Sequence, residues 1–228
     1  MTDVKGVVEL AKNLITENPG NLNNCDQCLT HLSDSYTIAG ETVELALANY
    51  LSLKTLLKPE EVSLAAGLHD IGRLLRKNQL FHELRGVRYV EERGLEKGVA
   101  DNLVDVFRIA QMFRSHYIVA EQWTDDETVD ERGEFEPLDS GLLVPRTLNE
   151  QIVVYAELSN MDGREVSFRD RIEDIKQRYS DPKWAVSNPS LLRIMRRGLP
   201  RVIEICERIE RLVKGELKTE GVARYGFI

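Results

Sequence analysis

The 228-residue chain has four histidines, His31, His69, His82 and His116, and each falls on or beside a different stretch of helical periodicity. One of them has an acid as its neighbour. In Ala65-Ala66-Gly67-Leu68-His69-Asp70-Ile71-Gly72-Arg73-Leu74-Leu75 an imidazole and a carboxylate stand side by side within an otherwise apolar segment. Titratable groups are seldom buried unless they are paired or bind a metal. Adjacent helical residues point about 100° apart, so His69 and Asp70 cannot close a coordination sphere alone. The expected partner is a divalent metal whose further ligands come from other helices: His82, His116, and Glu157, the one acid in the apolar run Val153-Val154-Tyr155-Ala156-Glu157-Leu158.

The elements that must position these groups follow from hydrophobic spacing. Val4 to Ile15 repeats at helical period and stops before Asn18-Pro19-Gly20. A second pattern begins after Asn23-Asn24 and runs towards Leu53 through Leu29, Leu32, Tyr36, Ala39, Val43, Ala46 and Tyr50. Lys58-Pro59-Glu60-Glu61 reads as the first turn of the helix that carries His69-Asp70. Phe81 to Arg93 holds His82, and one longer pattern from about Val99 to Trp123 holds His116. Residues 124–146 break the regularity and read as a long surface excursion, with Trp123 and Phe135 flanking its acidic part in the manner of a lid. Thr147-Leu148-Asn149-Glu150 has capping-box spacing, which favours helix over strand for the β-branched run after it. Ser167 to Asp170 opens another helix, and Asn188-Pro189 and Gly198-Leu199-Pro200 punctuate two last ones. The expectation is an all-α helical bundle in one domain over 1–228, with a core at about 23–180, C-terminal helices over 188–214 packed on it, and a loosely held tail, 215–228.

On these residues the chain resembles the HD superfamily of metal-dependent phosphohydrolases, in particular its small members with a His-Asp-Ile-Gly motif. Leu68-His69-Asp70-Ile71-Gly72-Arg73 carries the likeness, as does His82-Glu83-Leu84-Arg85-Gly86, with glycine four residues after histidine. His116 sits where the family places a further histidine. Ile152 to Glu157 resembles the closing apolar-Ala-Asp signature, and Arg171 to Tyr179 resembles the family's next segment. There are two departures. The family's first metal histidine lands at Asp34-Ser35-Tyr36, where none is present; His31, one turn earlier and well off the apolar face, and Asp34 are the nearest substitutes. Glu157 replaces an aspartate, which keeps the charge and lengthens the arm by one methylene.

The resemblance implies an HD-type fold and one or two divalent ions from the set Mn, Fe, Co, Ni and Zn, held by His69, Asp70, His82, His116 and Glu157. It implies hydrolysis of a phosphate ester, in a nucleotide or related small molecule, by a metal-activated water. His69 and Asp70 are the catalytic pair, with Arg73, Arg88 and Arg114 as candidates for the phosphate. An HD-fold iron oxygenase and a non-catalytic nucleotide or metal sensor are the competing expectations, the second because of the missing histidine.

Composition narrows the partners. A net charge of −8, with 42% hydrophobic and 30% charged residues, gives no basic footprint for duplex nucleic acid or anionic lipid. Met1 to Lys5 lacks a signal-peptide core, no apolar run of spanning length occurs, and three cysteines fit a reducing compartment, so a cytoplasmic protein is expected, with a homodimer compatible with it. Cys25-Asp26-Gln27-Cys28 with His31 offers a soft-ligand alternative, but packing at the start of a long helix is the preferred reading.

Overall fold

Proline at the first helical position and two acids behind it start the central helix, because a missing N–H costs nothing there and the N-terminal dipole favours negative charge. In the computed structural model, which describes residues 2–19, 25–76, 80–161, 164–181 and 189–217, this helix is α3, Pro59–Leu68. Every residue from Glu61 to Leu68 is buried. Glu61 keeps its charge inside by a forked pairing with Arg108, at 2.5 and 2.6 Å, which fastens α3 to a neighbouring helix.

Around α3 lie α1 (Val4–Glu17), α2 (Cys25–Asn49), α5 (Leu103–Arg114) and α8 (Leu148–Leu158). The α4 helix (His82–Arg93) packs on α5, and short α6 (Val119–Trp123) and α7 (Val129–Arg132) come next in the chain. The α9 helix (Phe168–Ser180) and α10 (Pro189–Val213) cover α8. The described residues contain no strand, only an isolated bridge between Asn160 and Glu165. The fold is therefore all-α, and no helix among the described residues is long and apolar enough to cross a membrane.

Several element boundaries differ from the periodicity. The pattern from Val99 to Trp123 is two helices, α5 and α6, separated by a corner at Ser115 to Ile118 where Tyr117 has φ 58°. The apolar positions continue through the corner because both sides face the core, so spacing alone could not reveal it. Conversely, Gly198-Leu199-Pro200 does not end a helix. The 25-residue α10 runs through Pro200, which is on the exposed side, where water can serve the carbonyl that the proline leaves without a donor. Gly198 permits close approach of α10 to α6: a Cβ there would lie 2.7 Å from Ile118.

The capping box is present as expected: Glu150 N–H donates to Thr147 Oγ1 at 3.3 Å, and the Thr147 N–H donates to Glu150 Oε2 at 2.8 Å. The excursion 124–146 is anchored rather than freely solvated. Phe81 meets the rings of Trp123 and Phe135 at 5.8 and 5.9 Å, Leu143 is buried, and Asp125 is held by Arg193 and Arg197 of α10. Of the tail expected to be loose, Leu217 exchanges two hydrogen bonds with the Tyr50 hydroxyl, at 2.8 and 2.9 Å; the rest, 218–228, lies outside the described residues. The side chain of Cys25 also lies outside them, so the soft-ligand arrangement with Cys28 has no structural counterpart to describe.

Candidate metal centre

The His-Asp pair is not inside a helix. The α3 helix stops at Leu68, His69 is its C-terminal cap, and Asp70 (φ −98°, ψ 6°) turns the chain into a 3-10 segment, Ile71–Leu74. This break aims both side chains into one junction. His31 arrives from α2, His82 is the first residue of α4, His116 lies just beyond the end of α5, and Glu157 lies in the last turn of α8. Three helices, α3, α5 and α8, thus end at the cluster, and the negative ends of their dipoles favour a cation there.

The glycines of the two motifs have a steric reason. A Cβ on Gly72 would lie 1.8 Å from the His82 carbonyl oxygen and 2.7 Å from the Gly86 nitrogen. The Ile71–Leu74 segment therefore rests directly on the first turn of α4, which brings Asp70 to His82. Phe81, immediately before, takes the left-handed conformation (φ 56°) to start α4 at that point.

Three ligand atoms from three chain segments come together. His31 Nε2 lies 3.3 Å from His69 Nε2 and 2.7 Å from Glu157 Oε2. His69 Nε2 is 3.0 Å from the same Glu157 oxygen, and Asp70 flanks the set, its Oδ2 3.8 Å from His31 Nε2 and its Oδ1 3.7 Å from His69 Nε2. Bond lengths of about 2.1 Å put neighbouring ligand atoms about 3.0–3.4 Å apart, so this set has the dimensions of a coordination shell. The Nδ1 of His69 faces the Ala66 carbonyl, which fixes the ring with Nε2 towards the cluster.

A second group adjoins the first. His82 Nε2 approaches Asp70 Oδ1 at 2.8 Å, and the ring of His116 lies 4.7 Å from that of His69 and 5.9 Å from that of His82. Glu83, fully buried, sits behind these two rings, 3.4 Å from His82 Nδ1 and 3.8 Å from His116 Nδ1. Neither nitrogen of His116 and neither oxygen of Glu83 has a hydrogen-bond partner, though both residues are almost wholly removed from water. Orphaned buried polar groups are uncommon and ask for an ion or a water. The combinations spaced to hold an ion are His31–His69–Glu157, His69–Asp70–His116 and His82–Glu83–His116.

Electrostatics separate the roles. Burial opposes the charge of Asp70, but Arg73, His69 and His82 outweigh it and hold the carboxyl well below the usual range. Glu157 is depressed likewise against its burial, by His31 and His69. Burial also works against a charged His69, yet Asp70 and Glu157 raise it to about 9, so the metal-free protein carries a proton where an ion would bind. Burial and the nearby His69 push His116 well below its ordinary value, leaving it a neutral donor of a lone pair.

The structure thus brings together all five expected ligand residues, His69, Asp70, His82, His116 and Glu157, with His31, one of the two expected substitutes, and adds Glu83. The periodicity discounts His31, which lies off the apolar stripe of α2. It is nonetheless half-buried at the junction, where Asn160 Nδ2 donates to its carbonyl (3.0 Å) and to Ser35 Oγ (3.2 Å). Of the two substitutes, His31 belongs to a group spaced for an ion and Asp34 to none among the described residues. Glu83 gave no signal except its place after His82. Among the arginines, Arg73 belongs to the cluster, its Nε 2.7 Å from Asp70 Oδ1. Arg88 does not: it donates to the Glu134 carbonyl and lies over the Phe135 ring. Arg114 is half-buried with Glu150 and Glu91 as the acids acting on its charge, neither of them a member of the cluster. No family model, curated protein or solved structure matches the chain, so the centre is read from its own geometry.

Proposed function

We propose that the protein is an HD-type metal-dependent hydrolase of phosphate esters acting on a nucleotide or related small phosphorylated molecule in the cytoplasm. The observation that carries this reading is the set His31, His69 and Glu157, whose facing atoms lie 2.7–3.3 Å apart although α2, α3 and α8 are distant in sequence, with Asp70 shared with His69 and His116 in an adjoining group. Asp70 also reaches His82 and, through it, His116, so its carboxylate is placed to serve a second ion beside the first. Mixed imidazole and carboxylate donors suit Mn, Fe, Co, Ni or Zn rather than Ca. A bound divalent ion supplies Lewis acidity and a water acidified to near neutral pH.

The chain's own groups supply the rest. Asp70, depressed and ionised, accepts a hydrogen bond from an attacking water and orients it. Glu83 stands behind the Nδ1 atoms of His82 and His116, at 3.4 and 3.8 Å, so its carboxyl adds an acid on the far side of both rings. Arg73 adds positive charge next to Asp70, where a phosphoryl group would gain negative charge. The place of His31 beside His69 and Glu157 supports the hydrolase over the sensor, whose argument was the missing histidine.

The test is elemental analysis of protein purified without added metal, then a panel of phosphate monoesters and nucleotides with each ion. His31→Ala is expected to stay folded, because its side chain lies at the rim, 13% exposed and outside the apolar clusters, and to lose most bound metal and at least about a hundredfold in turnover. Unchanged metal content in folded H31A would defeat the reading. Visible absorption and oxygen uptake without phosphate release would replace it with the iron oxygenase.

A further inference from the structure

We infer that α9 and the corner after α5 form an anion-binding wall next to the metal centre, where Arg171, Arg178 and Tyr117 receive a phosphate group of the substrate together with Arg73 and Tyr179. This rests on the reading of the site as a phosphohydrolase and names the part of it that grips the substrate.

The wall is built from α9, which packs against the helix carrying Glu157. One acid, Asp174, pairs with both arginines: Arg171 Nη1 lies 2.9 Å from its Oδ2, and Arg178 Nη2 contacts the same oxygen. A single carboxylate therefore fixes two guanidinium groups side by side and leaves one positive charge in excess. Arg171 is buried, and the Nε of each arginine is removed from water without a hydrogen-bond partner. The Tyr117 hydroxyl, from the corner next to His116, is a third buried donor with none. Three donors with nothing to donate to, beside a surplus cation, are the complement of a multidentate anionic acceptor.

Their placement ties them to the centre. The Tyr117 hydroxyl lies in the field of Tyr179, Glu157, Arg171 and Arg178, and that of Tyr179 in the field of Arg73, Arg178, Glu157 and Arg171. Arg73 thus belongs to both sides, pairing with Asp70 in the cluster and acting on Tyr179 in the wall. Arginine forks match the tetrahedral oxygens of phosphate, and tyrosine hydroxyls add donors without adding charge. Buried donors of this kind reject a ligand lacking the oxygens, because they would stay unpaired.

The experiment titrates inorganic phosphate into the full chain by calorimetry, with and without bound metal, for the wild type, Arg178→Gln, Tyr117→Phe and the outlying Arg88→Gln. Circular dichroism and elemental analysis confirm that each variant is folded and loaded. Binding by the wild type, weakened about tenfold or more in R178Q and Y117F but unchanged in R88Q, is expected, since a hydrogen bond to a charged group is worth at least about a factor of ten. Absence of phosphate binding in the wild type, or equal affinity in all four proteins, overturns the wall and leaves the metal centre untouched. If instead the wild type holds no metal while R178Q and Y117F still weaken phosphate binding, the wall stands and the hydrolase reading fails.

Discussion

His69 takes up a proton that must leave before an ion can enter. Its folded value of about 9 lies above the ordinary 6.5, because the pull of Asp70 and Glu157 exceeds the cost of burial. A raised value stabilises the metal-free fold fully below about pH 6.5 and loses that stabilisation as pH rises towards 9, on the order of 3 kcal/mol in all. Asp70 and Glu157, both depressed, contribute in the opposite sense: their stabilisation is present at neutral pH and is lost on acidification through the carboxylate range. Melting temperatures of metal-free protein should therefore fall between pH 6.5 and 9, while affinity for Zn or Mn rises over the same interval. A melting temperature flat over that interval would show that His69 is not charged in the metal-free fold. At this scale the sequence was most informative where two titratable residues interrupt an apolar run. His31 is legible as a substitute but discounted by periodicity, because a group at a helix rim needs no place on the buried stripe; Glu83 escaped because one residue after a histidine is not a spacing that identifies anything.

Between elements, the glycine of the His-Asp-Ile-Gly motif acts as a spacer of zero thickness. With the His82 carbonyl 1.8 Å from where a methyl group would stand, Gly72→Ala must push the Ile71–Leu74 segment off α4 and separate Asp70 from His82. Overpacking against backbone costs about 1–3 kcal/mol. Thermal unfolding should show that loss, and elemental analysis should show lower metal content even at temperatures where G72A is folded. A variant that melts like the wild type and retains full metal would show that the close approach does not position the site. Helices were legible in the sequence where caps and spacing agreed, as in α3 and α8. They were not legible where the apolar pattern crossed a corner, at Ser115 to Ile118, or where a proline lay on the wet side of a helix, at Pro200. Those are tertiary facts: what a residue packs against decides whether its local preference is obeyed.

Across the molecule, the described residues form three buried clusters: the large one around α3, one between α8, α9 and α10, and one beneath the 124–146 excursion. The last described helix reaches the corner beside His116 through Arg201. Arg201 of α10 donates from Nη2 to the Tyr117 carbonyl at 2.9 Å and grips Glu121 at 2.7 Å, across the left-handed corner that sets His116. A tyrosine in that conformation costs about 1–3 kcal/mol, so it persists only while its surroundings insist on it. For the proposed hydrolase, Arg201→Ala is expected to keep the helical content, lower metal occupancy and cut turnover by about tenfold or more, read by circular dichroism, elemental analysis and phosphate release; full occupancy in R201A would show that the corner holds itself.

Since that clamp lies more than eighty residues beyond the corner it secures, a chain still emerging from the ribosome has its ligands synthesised well before the helix that fastens one of them. The centre should become competent to take up metal only when the C-terminal helix has docked, which makes metal uptake a late report on completed folding.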